Sequence, residues 1–126
     1  MKIHQGVDIV SVERLARVAE RHGDHFLNRI FTRQERAYCE KKRYKYEHYA
    51  ARFAAKEAMM KAMGIRRENR FRFREIEVRR QPTGKPEIFI APASSARFGL
   101  PTGIQIELSM AHERDFAVSS ILLLLP

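Results

Sequence analysis

The chain has 126 residues and a net charge of +9, which predicts an acidic partner: nucleic acid, an anionic membrane, a phosphate-rich small molecule or an acidic protein. Its hydrophobic fraction of 44% excludes wholesale disorder, and its length predicts a single domain over residues 1–126. The only cysteine, Cys39, excludes an internal disulfide framework and a cysteine-rich zinc site, and it indicates the reducing cytoplasm.

A strand and a helix are predicted at the start of the chain. Residues 3–10 have the pattern of a strand that Gly6 interrupts, and Ser11 suits the N-cap of a helix that Gly23 ends. Helical spacing gives this helix an apolar face for the core and a basic face on the opposite side. The apolar face carries Val12, Leu15, Ala16 and Ala19, and the basic face carries Arg14, Arg17 and Arg21.

Two further helices are predicted before the middle of the chain. Thr32 and Glu35 form a capping box, which begins a helix that runs through Cys39. Residues 49–63, rich in alanine and methionine, form the strongest predicted helix, and Gly64 suits the position just after its end.

Strands are predicted to dominate the second half. Apolar and charged residues alternate at 75–79, and apolar residues alternate again at 104–108. The other predicted elements are a turn at 82–86, a partner strand at 87–90, a short helix at 92–98, a turn at 111–115 and a last strand at 116–124. This order predicts an α+β fold, in which an antiparallel sheet packs against the long buried helix.

The long helix carries only four charged side chains, Arg52, Lys56, Glu57 and Lys61. Since a helix this apolar is largely buried, each of these charges must be paired or used in a site. Glu57 and Lys61 stand one turn apart, so they form either an ordinary surface ion pair or part of an active site.

Asp8 interrupts an otherwise apolar strand, which is costly unless its carboxylate is hydrogen-bonded or binds a metal. Together with Glu57 it could hold one Mg²⁺, because this ion usually takes one or two carboxylates and completes its shell with water and substrate phosphates. The alternative is that Asp8 lies exposed on the polar face of an edge strand. His112 follows a strand end, where a lone histidine is usually a turn residue. The other histidines lack metal-ligand spacing and are given no role: His4, His22, His25 and His48.

Three segments resemble the holo-acyl-carrier-protein synthases, the small bacterial branch of the phosphopantetheinyl transferases. They are GVDIV at 6–10 with ERL at 13–15, RFAAKEA at 52–58 with Lys61, Ala62 and Gly64, and SMAH at 109–112 with Phe116 and Ala117. Weaker matches are Phe31, Thr32, Glu35, Tyr38, Cys39 and GKP at 84–86. The matches occur in order over nearly the whole chain.

The resemblance implies Mg²⁺-dependent transfer of 4′-phosphopantetheine from coenzyme A to a serine of an apo acyl carrier protein, for fatty acid biosynthesis, with release of adenosine 3′,5′-bisphosphate. It implies catalytic roles for Asp8, Glu57 and Lys61, of which the two acids bind the metal. The residues that it places beside coenzyme A are Arg52, Lys56, Lys61, Gly84, Lys85, Pro86 and His112. It also implies that the basic face of Arg14, Arg17 and Arg21 docks the acidic carrier, and that three copies form a homotrimer with active sites between subunits.

These residue types suit the chemistry that the resemblance implies. Phosphoryl transfer depends on positioning and charge neutralisation, which Lys61 and a metal ion would supply. Either a carboxylate, for which Glu57 is the better candidate, or a water on the metal takes the serine proton. The chain departs from the family in having Ser11 for a glutamate, residues 64–67 (GIRR) for a Gly-Thr-Gly loop, and Ala111 for a serine. Arginine contacts are therefore expected to replace the phosphate-cradling loop, and one hydroxyl contact is lost.

Two other functions fit part of the sequence. Residues 70–74 (RFRFR) and 41–46 (KKRYKY) interleave aromatic residues with cations, as nucleic-acid-binding surfaces do. The alternation of Phe71 and Phe73 equally fits a strand that buries one face. The second alternative is a related transferase dedicated to a polyketide or peptide synthase. We expect the fatty-acid carrier as partner, with no nucleic acid and no membrane insertion.

Overall fold

The structure is a computed structural model that describes residues 1–65 and 72–126. Its elements are β1 Lys2–Ser11, α1 Val12–His22, α2 Asp24–Ile30, α3 Arg33–Glu40, α4 Lys45–Met63, β2 Ile76–Arg80, β3 Pro86–Ile90, α5 Pro92–Arg97, β4 Gln105–Glu113 and β5 Phe116–Leu125. A 3-10 turn at Phe73–Glu75 precedes β2. The predicted α+β fold class with antiparallel strands is confirmed. The predictions that use Arg66, Arg67, Arg70 and Phe71 lie outside the described residues.

The long helix α4 packs across one face of a three-stranded antiparallel sheet with strand order β1-β5-β4. Alternate residues of β5 from Ala117 to Leu123 are buried, and the Ser119 hydroxyl donates a hydrogen bond of 2.8 Å to the backbone oxygen of Ala51 on α4. Strands β2 and β3 form a separate two-stranded sheet, whose Ile76 joins the same core. Most of α4 is therefore buried, as its apolar composition predicts.

Strand β1 runs without interruption through Gly6, so the prediction of a broken strand is wrong. Gly6 lies against the backbone of α4. A Cβ atom added to it would stand 1.9 Å from the carbonyl oxygen of Ala58 and 2.8 Å from the amide nitrogen of Ala62. The glycine therefore serves close contact between strand and helix rather than a bend, and it brings the next inward residue of β1, Asp8, toward α4.

We expect Gly6→Ala to lower the free energy of unfolding by about 3 kcal/mol, the upper range for overpacking a core. The added methyl group would meet backbone atoms of α4, which cannot move aside by a change of side-chain rotamer. Equilibrium urea unfolding measures this change. Gln5→Ala, on the exposed side of the same strand, is the control and should change stability by no more than about 0.5 kcal/mol. An equally small effect of Gly6→Ala would show that β1 and α4 are not in close contact.

The helices differ from the prediction in one boundary and in one additional helix. Helix α4 begins at Lys45, four residues before the predicted start, and the preceding Tyr44 makes no side-chain cap. Without a capping residue its first turn carries no start signal. Helix α2 was not predicted, because its seven residues are too few to show helical periodicity.

Strand β4 continues to Glu113, so residues 111–113 of the predicted turn at 111–115 belong to the strand, and that part of the prediction is wrong. Only Arg114 and Asp115 lie between β4 and β5, and Arg114 has a positive φ of 36°. His112 is therefore a strand residue, opposite Ala117 of β5. This placement fixes its backbone in the sheet rather than in a flexible turn.

Strands β1 and β5 present exposed apolar side chains on the outer face of the three-stranded sheet. Six large apolar side chains there are between 38% and 64% exposed: Ile3, Val7, Ile9, Phe116, Val118 and Leu122. Exposed apolar faces of this size usually mark an interaction surface. Within the two described ranges, no helix is both long and apolar enough to cross a membrane.

Candidate active site

Asp8 and Lys61 form the first contact of the candidate site. The Lys61 ammonium lies 2.9 Å from Asp8 Oδ1 and 3.1 Å from the backbone oxygen of Val7. The Asp8 side chain is 18% exposed, whereas the Lys61 side chain is 56% exposed. The lysine is thus held by β1 while its ammonium remains accessible to an anionic ligand.

Glu57 lies one helical turn before Lys61 on α4 and is buried. At about 100° per residue, the two side chains are about 40° apart around the helix axis. An ordinary exposed ion pair between them does not fit, because Glu57 is buried and Lys61 contacts Asp8. Asp8 and Lys61 thus meet across two packed elements, and Glu57 lies one helical turn from Lys61; we call these three residues the Asp8–Glu57–Lys61 group.

The carboxylates of this group are hard oxygen ligands, which Mg²⁺ prefers. Among residues 1–65 and 72–126, no cluster of three or more histidine, cysteine, aspartate or glutamate side chains could hold a metal. A Mg²⁺ ion often takes only one or two protein carboxylates and completes its shell with water and substrate phosphates. Asp8 and Glu57 fit that mode of binding.

A second group of basic residues surrounds the ring of Tyr38 on α3. The Arg52 guanidinium lies 4.1 Å from the ring centroid, the Lys42 ammonium 4.7 Å and the Arg80 guanidinium 4.9 Å. Arg52 is only 2% exposed, and its Nε atom has no hydrogen-bond partner in the described part of the chain. We call these four residues the Tyr38 cluster. Its concentration of positive charge favours an anionic ligand nearby.

The turn that contains Gly84 adjoins the Tyr38 cluster. Arg80 donates a hydrogen bond of 2.6 Å to the backbone oxygen of Gly84. The next residue, Lys85, has its ammonium 3.2 Å from Glu107 Oε2 on β4. Of the residues that the resemblance places beside coenzyme A, Arg52 and Gly84 are therefore linked through Arg80.

His112 is connected to the Tyr38 cluster through a second histidine. The rings of His112 and His48 are 4.7 Å apart, and the rings of His48 and Tyr38 are 5.8 Å apart. Burial, with smaller electrostatic contributions from residues such as His112 and Arg52, lowers the pKa of His48 to about 4. His48 received no role from the sequence; its position four residues before Arg52, on the same face of α4, was the signal that could have linked them.

Lys56 is fully buried inside the protein. Its ammonium donates hydrogen bonds to Glu35 Oε1 at 2.8 Å and to the backbone oxygens of Phe73 at 3.0 Å and Ile76 at 2.6 Å. The Lys56 and Glu35 side chains are both 0% exposed. All three ammonium protons are used, so the expected contact between Lys56 and the nucleotide has no donor left, and Lys56 is a structural residue.

The two ends of the candidate site are well separated along α4. Glu47, whose Oε1 lies 2.9 Å from His112 Nδ1, stands ten residues before Glu57. At 1.5 Å per residue this is about 15 Å along the helix axis. A single copy therefore carries the Asp8–Glu57–Lys61 group and His112 at distant positions.

The basic face of α1 is open to solvent, as the sequence predicts. Arg14, Arg17 and Arg21 are all exposed, and Arg17 lies 3.6 Å from Glu13 one turn earlier. Ser11 Oγ accepts a hydrogen bond of 3.2 Å from the Arg14 amide, so the serine that replaces the family's glutamate caps α1.

The nucleic-acid alternative rests on the two patterns that interleave aromatic residues with cations, at 70–74 and 41–46. Arg70 and Phe71 lie outside the described residues. Phe73 lies in the 3-10 turn before β2, with its ring 5.6 Å from that of Phe53, so it packs against α4 instead of standing free for base stacking. The pattern at 41–46 extends from the residues before α4 into its first turn. Its Lys42 belongs to the Tyr38 cluster.

Comparisons with known proteins give one consistent family. The 4′-phosphopantetheinyl transferase superfamily (ACPS) matches residues 5–119. The chain is 42% identical over 124 residues to the holo-[acyl-carrier-protein] synthase of Koribacter versatilis, with 98% of each protein covered. It resembles the ACPS–CoA complex of Chronobacterium ammoniagenes with a TM-score of 0.86 and 29% identity, covering 100% of this chain and 99% of that one. It also resembles a Bacillus anthracis holo-(acyl-carrier-protein) synthase in complex with CoA (3′,5′-ADP), with a TM-score of 0.76, 32% identity and coverage of 95% and 94%.

Proposed function

The chain belongs to the 4′-phosphopantetheinyl transferase superfamily, and on that premise we propose that it acts as a holo-[acyl-carrier-protein] synthase. It transfers 4′-phosphopantetheine from coenzyme A to a serine of an apo acyl carrier protein and releases adenosine 3′,5′-bisphosphate. The observation that carries this proposal is the contact of Asp8 on β1 with the accessible Lys61 on α4, one helical turn from the buried Glu57.

The reaction forms one bond and breaks one. The serine oxygen bonds to the phosphorus that bears pantetheine, and the bond from that phosphorus to the bridging pyrophosphate oxygen breaks. Adenosine 3′,5′-bisphosphate leaves with the electron pair, and the serine proton passes to a base. We assign Glu57 as this base and Lys61 as the cation that stabilises charge on the phosphate oxygens, because the lysine is accessible while Asp8 fixes its position.

Asp8 and Glu57 would hold Mg²⁺. When bound, the ion neutralises negative charge on the pyrophosphate. Since the same carboxylate of Asp8 contacts Lys61 at 2.9 Å, Asp8 orients the lysine and would also contribute an oxygen to the metal site. The cytoplasmic location and the preference for the fatty-acid carrier stay predictions.

We place coenzyme A between the Asp8–Glu57–Lys61 group of one copy and His112 of another. The separation of Glu47 from Glu57 along α4, about 15 Å, supports this arrangement. His112 also lines a groove of about 670 Å³ together with Ile9, Phe116 and Val118, which belong to the exposed apolar sheet face. A homotrimer that covers this face would bring the groove of one copy against the next.

The basic face of α1 is the proposed docking surface for the acidic carrier. We expect the double variant Arg14→Glu/Arg21→Glu to lower kcat/KM for the carrier about tenfold or more, and to remove most of its dependence on salt, because the charges steer encounter. The double variant Arg29→Glu/Arg33→Glu, at exposed positions on α2 and α3, is the charge-matched control and should change little. Equal losses in both variants would argue against docking on α1.

The intact mass of an apo acyl carrier protein, after incubation with this protein, coenzyme A and Mg²⁺, tests the proposed function. We expect a gain of one phosphopantetheine group, and no gain in a parallel sample with chelator. A gain only with polyketide or peptide synthase carriers would reassign the partner. No gain with any carrier would contradict the proposal, and binding to single-stranded nucleic acid would then be measured.

A further inference from the structure

Glu47 and His112 connect the first turn of α4 to the end of β4. Glu47 Oε1 and His112 Nδ1 are 2.9 Å apart, and their side chains are 15% and 31% exposed. Glu47 is the third residue of its helix, and His112 is paired with Ala117 in the sheet. Both side chains therefore extend from regular backbone, so their contact has a defined geometry.

The chemistry of this contact assigns the proton on the histidine ring. A carboxylate oxygen only accepts hydrogen bonds, so His112 Nδ1 carries the hydrogen that it donates to Glu47. Nε2 is then the ring nitrogen left for a ligand. Without Glu47, the ring could rotate or exchange its proton between the two nitrogens.

His48 restrains the same ring from another side. Its ring makes an edge contact with His112 at 4.7 Å and another with Tyr38 at 5.8 Å. Because burial lowers the pKa of His48 to about 4, this ring is neutral at neutral pH and packs beside His112 without adding a positive charge. The His112 ring thus has a hydrogen-bond partner at Nδ1 and an aromatic contact on another edge.

We infer that Glu47 is a positioning residue, which holds His112 in the tautomer protonated at Nδ1 so that Nε2 meets coenzyme A. This inference rests on the proposed function, in which His112 contacts coenzyme A. The free nitrogen would meet the ligand on the α4 side of the sheet, near the Tyr38 cluster, to which His112 is connected through His48.

Steady-state kinetics test the role of Glu47. We expect Glu47→Ala to raise KM for coenzyme A on the order of tenfold, as loss of a residue that orients a histidine does, with a much smaller change in kcat. Glu47→Gln keeps an oxygen acceptor and should restore most of the affinity. In a His112→Ala background Glu47→Ala should add nothing, because it acts through that ring. Lys45→Ala, two residues earlier on α4, is the control.

Nitrogen NMR of the histidine rings gives a second readout that does not need activity. We expect His112 protonated at Nδ1 in the wild type and a shift toward the Nε2-protonated form in Glu47→Ala. An unchanged tautomer, or additive effects of Glu47→Ala and His112→Ala on KM, would overturn the inference. If Glu47→Ala does not fold, Glu47→Asp, whose carboxylate is one methylene shorter, decides the same comparisons. An inactive wild type with the expected tautomer shift would contradict the proposed function but not the Glu47–His112 contact.

Discussion

Glu57→Gln is expected to reduce kcat for phosphopantetheine transfer about 10³-fold, within the range for loss of a general base. The substitution keeps the size of the side chain and its hydrogen-bonding capacity but removes its charge. It therefore loses both the ability to take the serine proton and one ligand of the Mg²⁺ site. Intact-mass measurement of the carrier over time gives the rate.

The control for this prediction is Glu87→Gln, a glutamate on β3 whose carboxylate accepts a hydrogen bond of 2.9 Å from Gln81. This variant should retain near wild-type activity, and both variants should unfold at similar urea concentrations. If folded Glu57→Gln keeps more than about a tenth of the wild-type kcat, the carboxylate is not the base and its loss does not impair metal binding.

Glu35→Ala is expected to lower the free energy of unfolding by about 3–5 kcal/mol, the usual cost of removing one partner from a buried ion pair. Glu35 Oε1 accepts hydrogen bonds from Lys56 at 2.8 Å and from the Thr32 amide at 2.9 Å, and Oε2 accepts one from the Val78 amide at 2.7 Å. Burial lowers the pKa of Lys56, and Glu35 opposes that shift by stabilising the ammonium. Without Glu35 the buried ammonium keeps only its two carbonyl partners.

A double variant distinguishes the contribution of the ion pair to stability from that of side-chain packing. Lys56→Met leaves the Glu35 carboxylate buried without its cation, so Lys56→Met/Glu35→Gln should be more stable than Lys56→Met alone, in equilibrium urea unfolding. The control is Lys45→Met, which breaks the half-exposed pair with Glu40 and should cost no more than about 1 kcal/mol. Equal losses of unfolding free energy in Lys45→Met and Glu35→Ala would contradict a stabilising role of the buried ion pair. So would a Lys56→Met/Glu35→Gln variant that is no more stable than Lys56→Met.

Features that depend on near neighbours along the chain were predictable from the sequence. The capping box of Thr32 and Glu35 forms with both of its hydrogen bonds, at 2.9 and 3.2 Å. Ser11 caps α1, and Gly64 ends α4 in the left-handed conformation with φ 71°. Each of these signals acts over a few residues, so the sequence contains all the information needed to recognise it.

Features that depend on distant parts of the chain were not predictable in this way. The carboxylate of Glu35 also binds Lys56, 21 residues later, and Val78, 43 residues later. A local pattern shows only the cap, and the resemblance placed Lys56 beside the nucleotide instead. Gly6 is similar: its position within a strand pattern fits either a bend or close approach of another backbone, and only the packing of α4 distinguishes them.

The candidate site also contains residues that the sequence identified and residues that only their distant contacts reveal. The resemblance identified Asp8 and Lys61, which the fold brings to 2.9 Å from each other although they are 53 residues apart. The sequence assigned no role to Glu47 or His48, because their roles depend on contact with His112, which is 65 residues from Glu47. Polar residues on a first helical turn look alike in sequence until their partners are known.

In the proposed arrangement, the Asp8–Glu57–Lys61 group of one copy acts with His112 of another, so variants of the two halves should complement each other in a mixed-subunit assay. Glu57→Gln and His112→Ala proteins are unfolded together at equal amounts, refolded, and assayed by the intact mass of the carrier at a low coenzyme A concentration. In a homotrimer with sites between subunits, random mixing gives about a quarter of all sites two intact halves, and activity should rise to about a quarter of the wild-type value. A mixture no more active than the mean of the two variants refolded separately would show that each site is complete within one chain.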